Sequence, residues 1–180
     1  SFSCPADAVA KKSRVEGVDY QAWEKAGLIT ATPGAAVDYD FVEAEIRKIC
    51  AEHDVRRIAF DPWRAQQLQQ NLMADDLPVV DFRQGFISMS PACDEVERAI
   101  ITGKLYHVGN PILRWNFDNV AVVRDAAGNR KFDKSKSRDK IDGAVATLMA
   151  VRFASLNDNS RSLLEMDPDE LDAILQKDAA

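Results

Sequence analysis

Two acidic residues stand where chemistry could be done. Asp61 closes the apolar run Val55–Phe60 and is followed at once by Pro62 and Trp63. Asp142 stands in Lys140-Ile141-Asp142-Gly143-Ala144-Val145-Ala146, at the head of the most apolar helical stretch in the chain. Each carboxylate taken alone has an ordinary explanation. Aspartate before proline is a frequent helix N-cap, and aspartate in a first turn offsets the helix dipole. Both, however, lie beside apolar segments, where an unpaired carboxylate is costly. A hard divalent cation would relieve that cost, since such ions take carboxylate oxygens as ligands.

The approach to Asp142 is basic. Arg130, Lys131, Lys134, Lys136, Arg138 and Lys140 lie within a short stretch. Such a run is often only a solvated face. Next to a cation site it suits a polyanionic substrate: the lysines hold phosphates while a metal activates water. The candidate catalytic and metal-binding residues are therefore Asp61 and Asp142, and the candidate phosphate contacts are Lys134, Lys136, Arg138 and Lys140. His107 could act as a general base or phosphate contact, or be structural. Trp23, Trp63 and Trp115 are read as packing groups in preference to base-stacking ones.

The elements that must position these residues follow from pattern. Asp19 caps a short helix over 20–26, and Asp38 caps an amphipathic helix over 39–52. Val55–Phe60 reads as a strand, with Asp61 as N-cap and Pro62 as first residue of a helix to Met73 whose polar run faces outward. Leu77–Phe82 is the next strand. Strand, helix, strand at this spacing implies a parallel crossover, and the carboxyl ends of such strands are where ligands bind. Ser90 and Pro91 open a helix to about Thr102. Leu105–Val108 is a short strand, and 112–117 a short helix after Asn110-Pro111. A hairpin joins 120–124 to 130–133 through Ala126-Ala127-Gly128-Asn129. The helix over 141–155 is apolar almost all round and should be buried against the sheet. Asp167-Pro168 caps a last amphipathic helix to Lys177.

Composition excludes several classes. With 46% hydrophobic and 29% charged residues, the chain has the make-up of a soluble globular protein. It has no run of membrane-spanning length and no signal-peptide pattern. Its net charge of -6 argues against a general nucleic-acid coat, although a local basic patch remains compatible with it. Cys4, Cys50 and Cys93 lack zinc spacing and are expected to be reduced thiols. No phosphate-binding Gly-x-x-x-x-Gly-Lys-[Ser/Thr] loop is present. The chain lacks an initiator Met and is expected to be a fragment or to have been processed.

As a set, a series of motifs resembles the C-terminal nuclease domain of the large terminase subunit of tailed bacteriophages. They are Tyr20-Gln21-Ala22-Trp23-Glu24-Lys25-Ala26-Gly27-Leu28-Ile29, Thr32-Pro33-Gly34, Ile58-Ala59-Phe60-Asp61-Pro62-Trp63 and Gln84-Gly85-Phe86-Ile87-Ser88. Further on come Gly103-Lys104-Leu105-Tyr106-His107, Asn110-Pro111-Ile112-Leu113-Arg114-Trp115 and Lys134–Gly143. The likeness runs in order over about residues 15 to 155.

The resemblance implies an α/β fold: a ribonuclease-H-like mixed sheet flanked by helices, here lacking its first strand or strands. It implies a nuclease domain over 1–157, truncated at its N-terminus, and a polar tail over 158–180. It further implies metal-dependent cutting of double-stranded viral DNA during packaging, with three acids and two magnesium or manganese ions. Asp61 matches the second acid and Asp142 the third. The first belongs on an opening strand upstream, so the piece alone is expected to cut weakly or not at all. The implied partners are the terminase ATPase domain, the small terminase subunit and the portal, and the implied setting is the host cytoplasm. The competing reading is a non-catalytic module that clamps DNA or docks on the packaging motor, which needs the lysines but not the acids.

Overall fold

The computed structural model describes residues 2–63 and 65–158. Three short two-stranded sheets and seven helices make up the described chain. The N-terminal unit pairs β1 (Ser3–Pro5) with β2 (Thr30–Thr32) in parallel, with α1 (Ala6–Glu16) and α2 (Tyr20–Lys25) between them. Neither β1 nor α1 was expected from the sequence. The reason lies in α1, whose only buried residue is Val9, so it carries almost no apolar periodicity. The cap of α2 is as expected: the Asp19 carboxylate accepts from Ala22 N–H at 2.9 Å.

The central unit runs α3 (Tyr39–Glu52), β3 (Ile58–Phe60), α4 (Gln66–Ala74), β4 (Val79–Asp81). Asp38 caps α3 by accepting from Phe41 N–H at 3.0 Å. Strands β3 and β4 are parallel, in the register Ile58 to Val79 and Phe60 to Asp81. The expected crossover is therefore present, but its helix starts late. Asp61 is not the N-cap of α4, and Pro62 is not its first residue; the cap position is Ala65. Asp61 instead forms an Asx turn, accepting from Trp63 N–H at 3.2 Å. The polar run of α4 does not face wholly outward, since Gln69 is buried beside Leu68 and Leu72.

The last unit holds α5 (Phe86–Ile101), α6 (Pro111–Asp118), the antiparallel hairpin β5 (Val122–Arg124) and β6 (Arg130–Phe132), and α7 (Asp142–Asp158). Helix α5 begins at Phe86 behind Gly85, so Pro91 lies inside it rather than opening it. Leu105–Val108 forms no strand; the segment is an exposed loop ending at the Asn110 cap of α6. The hairpin is as expected, closed by Asp125, whose carboxylate accepts from the N–H groups of Ala127 and Asn129.

The main core joins α5 and α7: Met89, Ala92, Val96, Ile141, Ala144 and Leu148 are all but fully buried. Ala59, Phe82 and Phe132 pack against it from the strand segments. Helix α7 thus rests chiefly on α5 and α6 and only in part on strands. A second core joins the N-terminal unit to α6, through Tyr20, Ile29 and Ile112 with Trp23 and Trp115 around them. The expected helix after Asp167 lies outside the described residues. Among the described residues no helix is long and apolar enough to cross a membrane.

Candidate functional site

Asp61 sits just past β3, half-buried, in an open cavity of about 1030 Å3. The cavity is walled by Pro62, Trp63, Gln66 and Gln67 on one side and by Arg83, Gln84 and Gly85 on the other. The parallel pairing of β3 with β4 creates it, because both strands deliver their following loops to the same edge. Trp63 is not a packing residue, as the sequence suggested: it is 87% exposed. Trp23 and Trp115 do pack, 5.5 Å apart by ring centroids and both edge-on to Tyr20.

Asp142 is the first residue of α7 and lines a separate cavity of about 640 Å3, together with Glu16, Lys134, Arg138, Asp139 and Lys140. Three of the four expected phosphate contacts therefore gather around Asp142; Lys136 is exposed in the same loop. Lys134 Nζ lies 2.5 Å from Asp142 Oδ1, and Lys140 Nζ lies 3.7 Å from Glu16 Oε1. Glu16 also accepts from Tyr20 Oη at 2.6 Å. Burial and this neighbouring carboxylate push the Tyr20 hydroxyl far above its ordinary range.

Buried asparagines hold this loop in place. The side-chain oxygen of Asn116 accepts from Gly143 N–H at 2.8 Å, and its amide donates to Ile112 O at 2.9 Å. The Asn119 carbonyl accepts from Arg138 N–H at 3.1 Å, and its side chain donates to Lys140 O at 3.3 Å. Gly143 packs closely on the N-terminal unit: a Cβ at this position would stand 2.9 Å from the Phe2 ring, which would have to shift. Asp133 stabilises the start of the loop. The Ser135 hydroxyl and N–H donate to its carboxylate and hold its pKa below the ordinary value.

Strand β3 and helix α7 border one groove. The Arg57 guanidinium lies 5.3 Å from the Phe153 ring centre, and Ala59 shares the groove, of about 460 Å3, with Ala146 and Met149. Asp61 follows the end of β3, and Asp142 opens α7. The two carboxylates line different cavities, and among the described residues no three His, Cys, Asp or Glu side chains form a group able to hold a metal ion.

The remaining candidates are placed elsewhere or otherwise engaged. His107 is exposed, accepts from Gly109 N–H at 3.1 Å, and lines a cavity with Leu113 and Phe117. Arg130 pairs with Asp94 and, at 2.7 Å, with Glu97, which raises its pKa and ties the hairpin to α5. Lys131 lies 5.1 Å above the Phe86 ring. Burial pushes the Cys93 thiol up to about 11, so it is inert as a thiolate.

A family profile described as "Terminase large subunit, endonuclease domain" matches residues 2–158. The chain belongs to this family. It is 41% identical over 156 residues to the "Terminase, large subunit" of Enterobacteria phage HK97, a match covering 86% of this chain and 31% of that protein. It is 37% identical over 147 residues to "Protein YmfN" of Escherichia coli strain K12, covering 80% of this chain and 32% of that one. The crystal structure of the HK97 bacteriophage large terminase superposes with a TM-score of 0.78 at 41% identity, covering 84% of this chain and 32% of that chain. This terminase endonuclease domain therefore spans about a third of the length of the relatives it matches. Its mixed α/β architecture is that of the corresponding part of the HK97 protein. Sequence reasoning missed Asn116 and Asn119, because a buried asparagine on a helix carries no signal until its partner loop is placed.

Proposed function

We propose that this domain is the C-terminal, ribonuclease-H-like nuclease of a phage packaging terminase, and that it cuts double-stranded DNA with magnesium or manganese held by Asp61 and Asp142. The observation that carries this reading is the position of Asp61 just past the carboxyl end of the parallel strand β3, and of Asp142 at the head of α7 beside the basic loop, in a chain belonging to the terminase endonuclease family. The donor set fits a hard cation, since both groups offer carboxylate oxygens in partly solvated settings. When bound, such an ion supplies a Lewis acid and a water of lowered pKa.

The chain's own residues have distinct tasks. Lys136 and Arg138 hold phosphates beside Asp142. Lys134 and Lys140 neutralise the acids around them until DNA or a cation competes for the same partners. Asn116 and Asn119 fix the loop so that these charges keep their places.

By the same reading, the domain works with the terminase ATPase domain, the small terminase subunit and the portal in the host cytoplasm. The test is plasmid nicking by the large subunit that carries this domain, in magnesium and in manganese. Asp61→Asn and Asp142→Asn should abolish nicking and leave DNA binding intact. Nicking by either variant at the parent rate would remove that residue from the site. The separate cavities of Asp61 and Asp142 favour a second reading, a DNA clamp. It predicts binding without metal-dependent nicking in parent and variants alike.

A further inference from the structure

We propose that Trp63 is a base-stacking residue that receives an unpaired nucleotide of the DNA beside Asp61, with Arg83 on the adjoining phosphate. The inference rests on the nuclease reading of Asp61 and names what the neighbouring cavity binds. Three features of the cavity carry it.

The first is the cost of the arrangement. Trp63 exposes 87% of its surface, while the other two tryptophans are packed into an aromatic cluster. A large ring held in water two residues from a candidate metal ligand has no packing role to account for it. The second is anchoring. The Asp61 carboxylate accepts from Trp63 N–H at 3.2 Å, and the Pro62 ring restricts the backbone between them. The acid that would hold the cation thus also fixes the base of the tryptophan, and the indole leaves from an ordered turn. The third is the chemistry of the rest of the lining. Arg83 offers a guanidinium, and Gln66 and Gln84 offer amides that can donate to and accept from base edges. Gly85 follows, where helix α5 begins without any side-chain cap, so its first N–H groups are open to an anion.

An aromatic face, a guanidinium and amides around an open cavity of about 1030 Å3 make up the equipment that proteins use for single-stranded nucleic acid. An indole can cover a base only where the base face is uncovered, and in a duplex its neighbours cover it. The nucleotide is therefore an unpaired one, at a frayed or freshly cut end.

The experiment follows tryptophan emission during titration with a ten-nucleotide oligothymidylate in EDTA, which prevents cutting. The difference between the parent and Trp63→Phe isolates the exposed indole. The oligothymidylate should quench the Trp63 signal. Trp63→Ala should weaken its binding, measured by anisotropy of a labelled strand, about tenfold, and Trp63→Phe should retain most of the affinity. A blunt duplex of the same length should leave the Trp63 signal unchanged. Absence of quenching, equal affinity in Trp63→Ala, or equal quenching by the duplex would each overturn the proposal. Its failure is separable from that of the nuclease reading. Loss of nicking in Asp61→Asn with no Trp63 quenching rejects the stacking role alone. Quenching with undiminished nicking in Asp61→Asn rejects the metal role alone.

Discussion

The Lys134 ammonium stands 2.5 Å from Oδ1 of Asp142, at the head of α7. Both side chains are more than half exposed, so the pair is worth no more than about 1 kcal/mol. A divalent cation at Asp142 has to share the carboxylate with that ammonium or displace it. Lys134→Met should therefore tighten manganese binding by about two- to fivefold, read by calorimetry or by the manganese spin-resonance signal. Unchanged or weaker binding would place the cation away from Asp142.

The basic loop should not act uniformly on DNA. Lys134 and Lys140 are paired with Asp142 and Glu16, whereas no ion pair among the described residues involves Lys136. Lys136→Ala should lower the slope of log affinity against log salt by about one. Lys134→Ala and Lys140→Ala should each lower it by less. Anisotropy titrations across a salt series measure this, and an equal effect of all three would mean the pairs dissolve on binding.

Asn116 is 3% exposed and joins α6 to the start of α7 through Gly143 N–H. Asn116→Ala leaves the Gly143 N–H without its partner. The expected cost is about 1–3 kcal/mol in urea unfolding, with a loss of order in the loop before Asp142. Asn119→Ala, which removes one longer bond of 3.3 Å, should cost less.

Asp133 carries a pH dependence of definite sign. The Ser135 hydroxyl and then its N–H hold the carboxyl below its ordinary 3.8. A depressed folded-state value means that the contribution is fully present above 3.8 and is lost as pH falls through the folded value. Carboxyl carbon NMR should show Asp133 titrating below 3.8, and Ser135→Ala should move it upward.

Much of what positions the candidate site was legible because local signals agreed with the fold. Asp38 and Asn110 sit where capping chemistry puts them, and the apolar runs before Asp61 and Asp81 pair in parallel. Ser90-Pro91 misled because it mimics a helix start, while the real start at Gly85 has no side-chain cap to advertise it. Trp63 could not be told from Trp23 and Trp115 in sequence. Its exposure follows from the turn made by Asp61, which breaks the chain before α4 and turns the indole away from both cores. The link between Asp142 and the N-terminal unit was equally hidden, since Glu16 and the Phe2 ring approach it from far away in sequence.

Diffraction from a crystal grown or soaked with manganese locates the cation through the anomalous signal of the metal. A peak is expected within about 2.0–2.6 Å of carboxylate oxygens of both Asp61 and Asp142, with Lys134 moved off Asp142. A peak bound by only one of them, or by neither, would contradict the assignment of the metal to both acids.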